Sequence, residues 1–168
     1  LTVNNIIPEH MESLTAKLTE AGIVLEEGDD FIKVHGVKKP KPINVQTLPY
    51  PGFPTDLHPQ MVSLLCTADG QSTITEGIHE TRFQYAEQLM LMGADIRVQG
   101  GSAIVTGVPR LSGAPIKAGD LRAAACLVLA GLVAEGKTTV SNIHYLDRGY
   151  ERFVEKIEKL GAHVTREE

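Results

Sequence analysis

The chain has 168 residues, of which 42% are apolar and 22% charged, enough apolar material for a packed core and too little charge for a disordered chain. Acidic residues outnumber basic ones, 21 to 16, for a net charge of −5; this disfavours a general nucleic-acid surface but leaves room for a local arginine cluster around a small anion. The longest uncharged apolar run, Ala123 to Ala134 between Arg122 and Glu135, is too short to span a bilayer as a helix, and no signal peptide opens the chain.

Glu9 to Lys17 reads as a helix that runs on to a stop at Gly22, followed by a strand to Leu25. Gly28-Asp-Asp30 then turns the chain into a second strand, Phe31 to Val34, which is a hairpin signal. Lys38-Lys-Pro-Lys41 is a solvated basic turn. Leu48 to Asp56 carries three prolines and a glycine, which forbid regular helix or central strand and fix a stiff loop. An apolar helix starts at Asp56-Leu57, passes through Cys66 and ends at Asp69-Gly70; Ser72 to Thr75 follows as a strand. Phe83 to Gln88 opens the next helix, which stops at Gly93, and a strand runs to Val98. Gly100-Gly101 turns it into a second strand, Ala103 to Thr106. Asp120-Leu121 begins a run through Ala134 that ends at Glu135-Gly136, with a strand at Thr138 to Ser141. Tyr150 to Lys156 leads to Gly161 and a last alternating stretch to Val164. Cys66 and Cys126 lie inside apolar runs and read as buried free thiols, in keeping with a reducing cytoplasm.

These elements repeat. Gly22, Gly93 and Gly161 recur about 70 residues apart, each where a left-handed helix cap is wanted. Asp56 and Asp120 each open an apolar run, at a helix start where a carboxylate can cap free amides, and Arg82 and Arg148 follow the closing glycines Gly70 and Gly136 at the same distance. One domain over 1–168 is expected, in units of about 8–77 and 78–143 and a partial unit 144–168. The helix 121–134, apolar all round, should be buried on every side. The fold class is therefore α/β, with sheets covering buried helices.

Two readings stand for Asp56. It caps the helix after the stiff loop, or it is presented to a ligand as a carboxylate able to accept a proton from a hydroxyl. Two readings also stand for Arg82, Arg122 and Arg148: internal ion pairs, such as Arg148 with Asp147 or Arg122 with Asp120, or a cluster gripping carboxylate or phosphate. There is no glycine-rich nucleotide loop, no HExxH and no CxxC, and the six histidines lack metal-ligand spacing; no metal is expected.

Pro49-Tyr-Pro-Gly-Phe-Pro-Thr-Asp56, Met92-Gly-Ala94, Asp120-Leu-Arg-Ala123, Leu127-Val-Leu-Ala-Gly131 and Asp147-Arg-Gly-Tyr-Glu151 occur in this order. Together they resemble the UDP-N-acetylglucosamine 1-carboxyvinyltransferases, enolpyruvyl transferases of peptidoglycan synthesis. The resemblance implies an inside-out α/β barrel of repeated βαβαββ units, incomplete in this chain, corresponding to the C-terminal part with the N-terminal domain absent. It implies transfer of the enolpyruvyl group of phosphoenolpyruvate to the 3′-hydroxyl of UDP-N-acetylglucosamine, releasing phosphate, with no cofactor, no nucleic acid and no membrane. By motif, Asp56 is the base, and it and Thr55 beside it contact UDP-N-acetylglucosamine. Ile78 touches the sugar nucleotide through its backbone. Arg122 and Arg148 hold phosphoenolpyruvate or its intermediate, and Arg82 is a further active-site arginine. The family's general acid, a cysteine alkylated by fosfomycin, belongs to the other domain, as do its phosphoenolpyruvate lysine and another arginine; neither Cys66 nor Cys126 matches that cysteine. The expectation is half a site. A non-catalytic binding or structural module, or a relative of 3-phosphoshikimate 1-carboxyvinyltransferase, are the alternatives.

Overall fold

Three small sheets form the outside of the molecule and helices fill the middle, in a computed structural model that describes residues 1–79 and 81–167. The first sheet has the order β1-β3-β2, all antiparallel, from β1 (Thr2–Asn4), β2 (Val24–Glu27) and β3 (Phe31–His35). A 3-10 turn, Pro8–Met11, leads into α1 (Glu12–Glu20) between β1 and β2.

One complete βαβαββ unit follows. It comprises β4 (Asn44–Gln46), α2 (His58–Leu65), β5 (Gln71–Thr75), α3 (Ala86–Leu91), β6 (Asp95–Gln99) and β7 (Ser102–Thr106). Its sheet has the order β4-β5-β7-β6: β4 is parallel to β5, and the β6–β7 hairpin adds antiparallel. A second unit begins with β8 (Pro115–Lys117), α4 (Leu121–Val133) and β9 (Thr139–Ser141), again with the first two strands parallel. It continues through α5 (His144–Asp147) and α6 (Phe153–Lys159). The α1–β2–β3 segment is the closing αββ of the same pattern.

The repeat extends to individual hydrogen bonds. After α1 the amides of Gly22 and Ile23 return to the carbonyls of Thr19 and Leu18. After α3 those of Gly93 and Ala94 return to Met90 and Leu89, and after α6 those of Gly161 and Ala162 return to Glu158 and Ile157. All three are the same double-bonded helix stop, with the glycine at φ of +84°, +88° and +94°. Any other residue there would be pushed into the left-handed region at a cost.

The core forms where α2 packs on α4, with the inward faces of β5 and β7 against them. Met61, Val62, Leu65, Ile74, Leu89, Val105 and Leu127 are buried there. Strands β5 and β7 alternate buried and less buried residues, as one-sided sheets do. Leu127→Ala should therefore cost about 3 kcal/mol, the typical penalty for a cavity at a fully buried leucine; the urea midpoint of the variant reads this directly.

Three expectations need correction. The helix 121–134 is not buried on every side: Ala123 to Leu127 are buried, but in its later turns only one side, with Ala130, stays buried while Leu129, Leu132 and Val133 face solvent on the other. The alternating stretch after Gly161 is not a strand, since no second hairpin arm pairs with it among the described residues. And β1, β4 and β8, absent from the sequence reading, exist as three-residue strands held by neighbours remote in sequence. No helix of the described residues is long and apolar enough to cross a membrane.

Candidate functional site

The stiff loop is anchored at its far end rather than along its length. Phe53 is buried in the core, the Leu48 amide donates to its carbonyl at 3.0 Å, and Gly52 closes a turn onto Pro49. Pro54, extended at ψ 139°, then hands the chain to a 3-10 turn over Thr55–Leu57, from which α2 continues.

Asp56 stands in that turn and caps nothing. Its Oδ1 accepts from Arg122 Nε at 2.8 Å and from Arg82 Nη1 at 3.3 Å. The three residues come from three elements: the start of α2, the turn after β5 and the first turn of α4. Arg82 is nearly buried, with 8% of its side chain exposed, whereas Asp56 is 59% exposed. The hydrogen bond from Arg122 holds the Asp56 carboxyl below its usual range; burial is the next-largest influence and opposes it, and the charges of both arginines add to the lowering. Asp120 does cap α4, its Oδ1 accepting from the amides of Arg122 and Ala123 at 2.7 and 3.0 Å. The pairing of Asp120 with the Arg122 guanidinium is thus replaced by a backbone cap, which leaves that guanidinium to reach Asp56.

Arg148 lies apart. It is exposed at the end of α5, makes no contact with Asp56, and does not pair with Asp147. Asp147 instead receives both guanidinium nitrogens of Arg166, at 2.9 and 2.8 Å. Of the arginines singled out by sequence, the structure gathers Arg82 and Arg122 around Asp56 and leaves Arg148 outside the cluster.

Glu76, which the sequence reading passed over, organises the floor of the site. It follows β5 and its side chain is fully buried. Oε1 accepts from Thr47 Oγ1 at 2.6 Å and from the amides of Ile78 and His79 at 2.7 and 2.9 Å. Oε2 accepts from Thr55 Oγ1 and His58 Nδ1, both at 2.8 Å. Burial opposes the charge, but the hydrogen bonds from Thr47, Ile78, Thr55 and His79 outweigh it and hold the carboxyl at about 2. His58 is held at about 4 by burial, the Glu76 contact opposing only in part, so the ring is neutral at pH 7. An ionised Glu76 can only accept, so Nδ1 of the neutral ring carries its proton. Nε2 therefore accepts from the buried Tyr85 hydroxyl at 2.8 Å, and the chain of donation runs Tyr85 to His58 to Glu76. The half-exposed Ile78 spends its amide on Glu76.

The cysteines take no part. Burial pushes the Cys66 thiol up to about 12 and that of Cys126 well above its usual value, so neither forms a thiolate near neutral pH. No group of three or more potential metal-ligating side chains occurs among the described residues. A cavity of about 220 Å³ beneath the start of α4 is lined by Tyr85, Lys117, Asp120 and Asn142 among others, but not by Asp56, Arg82 or Arg122. Asp56, 59% exposed, brings the charged cluster to the surface.

Comparison with known proteins places this arrangement. The profile of the family described as EPSP synthase (3-phosphoshikimate 1-carboxyvinyltransferase) matches residues 1–157. A curated protein of an Anaeromyxobacter species, named UDP-N-acetylglucosamine 1-carboxyvinyltransferase, is 51% identical over 167 residues, covering 99% of this chain and 40% of that protein. One from Bacillus cereus, named UDP-N-acetylglucosamine 1-carboxyvinyltransferase 2, is 50% identical over 168 residues, covering all of this chain and 39% of its own length. The chain thus spans about 40% of the length of the curated relatives it matches. Among solved structures, the enolpyruvyl transferase NikO from Streptomyces tendae superposes with a TM-score of 0.88 at 31% identity, over 97% of this chain and 39% of its own. EPSP synthase from Acinetobacter baumannii superposes at 0.69 with 20% identity, over 94% and 37%, a likeness of fold alone.

Proposed function

The chain belongs to the EPSP synthase (3-phosphoshikimate 1-carboxyvinyltransferase) family, and on that footing we propose that it is part of a UDP-N-acetylglucosamine 1-carboxyvinyltransferase. That enzyme would move the enolpyruvyl group of phosphoenolpyruvate to the 3′-hydroxyl of UDP-N-acetylglucosamine and release phosphate, acting in the cytoplasm in peptidoglycan synthesis. The observation that carries the reading is the convergence of Asp56, Arg82 and Arg122 from three elements onto one exposed surface, in a chain half identical to proteins of that name.

Asp56 is the base that takes the proton of the attacking hydroxyl. Its ion pair with Arg122 makes it a weak base. An anionic substrate that takes the Arg122 guanidinium returns the basicity of Asp56 where the hydroxyl arrives. Arg82 and Arg122 hold negative charge on phosphoenolpyruvate and on the addition intermediate, and Arg148 joins them once substrate and the rest of the protein complete the site. The nucleotide sugar meets the main chain at Thr55 and the Ile78 carbonyl, the Thr55 hydroxyl being spent on Glu76. The general acid and the remaining phosphoenolpyruvate contacts come from the rest of the protein.

Phosphate release tests this. The chain fused to the remaining part of the Anaeromyxobacter relative should release phosphate from phosphoenolpyruvate plus UDP-N-acetylglucosamine, and the chain alone should not. Shikimate 3-phosphate should not replace the sugar nucleotide. Silence of the fused protein would remove the reading; turnover by the chain alone would remove the need for a second half.

A further inference from the structure

We infer that Glu76 is the positioning residue that locks the base-bearing turn and the sugar-contacting turn into one rigid unit; this rests on the functional reading above. Two segments distant in sequence must face the same substrate: the turn carrying Asp56 and the turn carrying Ile78. Glu76 is bonded to both. One oxygen takes the hydroxyl of Thr55, the residue before Asp56, and the other takes the amides of Ile78 and His79. Thr47, at the base of the stiff loop, donates to Glu76 and accepts the amide of Gly77 at 2.8 Å, closing the frame from below. His58, in the first turn of α2, fixes the orientation of the carboxylate and is itself held by Tyr85.

The arrangement has no slack. Five donors converge on the two oxygens of a buried carboxylate; the Thr47 and His58 bonds are buried and the other three part-buried. A carboxylate satisfies them because both oxygens accept; an amide of the same shape has one accepting oxygen and one donating nitrogen. If that oxygen keeps the Ile78 and His79 amides, the nitrogen confronts Thr55 and the protonated Nδ1 of His58. The Thr55 hydroxyl then keeps a bond only by turning to accept from that nitrogen, which the facing Nδ1–H of His58 pushes out of line, so Asp56 is less firmly indexed to Ile78. The Glu76 side chain is fully buried, so it acts through these two turns.

The test uses the fused protein and kinetic constants per folded molecule, with a melting curve for each variant. Glu76→Gln and Thr55→Val should each raise the KM for UDP-N-acetylglucosamine about tenfold and lower kcat, the scale of one lost hydrogen bond to a charged group. The KM for phosphoenolpyruvate should change by less than about twofold. Thr55→Ser, which keeps the hydroxyl, should restore the parental KM. The double variant should be no worse than Glu76→Gln, because both changes cut the same bond. A rise in both KM values together, failure of Thr55→Ser to rescue, multiplying effects, or a lower melting temperature with unchanged kinetics would each overturn the positioning role. Absence of turnover in the parental fused protein would instead overturn the functional reading beneath it.

Discussion

Asp56→Asn in the fused protein should lower kcat by about 10²–10⁴-fold, the range lost with a positioned general base. The substitution is nearly isosteric. Its amide oxygen can still accept from Arg122 Nε, where Oδ1 accepts at 2.8 Å, so the turn and the arginines keep their places. Asp56 is largely exposed and caps no helix, so stability should move by less than about 0.5 kcal/mol. The loss therefore falls on proton acceptance, not on folding. Phosphate release at saturating substrate measures it, and an Asp56→Asn enzyme with parental kcat would remove Asp56 from the role of base.

Acid should destabilise the protein in two stages, both from the buried Glu76–His58 pair. His58 binds its proton far less readily folded, at about 4, than unfolded, near 6.5. A depressed histidine favours folding while neutral, so its contribution is fully present above about 6.5 and drains away as pH falls toward 4. The loss is on the order of 3 kcal/mol. Glu76, held at about 2 against 4.5, contributes above 4.5 and loses that contribution as pH falls from there toward 2. Glu26, Asp147 and Glu155 are also held low by partners, but at the surface, where solvent screens the effect. Urea midpoints at pH 7, 5.5 and 4 should fall in the parent and stay nearly level in His58→Gln. An equal fall in both would assign the acid sensitivity elsewhere.

What the sequence disclosed follows from how local each signal is. The glycine stops of α1, α3 and α6 and the two hairpins are set within a few residues, and all were legible. So was the cap at Asp120, where the carboxylate and its amides are neighbours. β4 and β8 were not, because each has three residues and one buried side chain, and each exists only through a parallel partner about 25 residues on. The exposed end of α4 was misjudged for a related reason: an apolar helix reveals that it wants cover, not where the cover stops. Asp56 and its two arginines were visible as residue types at junctions. That Asp56 binds arginines rather than capping α2 depends on three elements meeting, which no spacing encodes. Glu76 was invisible because a glutamate after a strand is ordinarily a surface residue; only the fold shows five donors gathered on it.

The pairing of α2 with α4 bears on how such a chain could arise. The two helices belong to successive units, so each unit finds the partner for its apolar helix in another unit rather than in itself. A lone unit would be a sticky peptide, able to bury its helix only by meeting copies of itself. Tandem duplication turns that encounter between molecules into one within a molecule, at a local concentration set by a short tether. Growth by whole units is thereby favoured over growth by parts, and the present chain carries that history in the phase of its strands and helices.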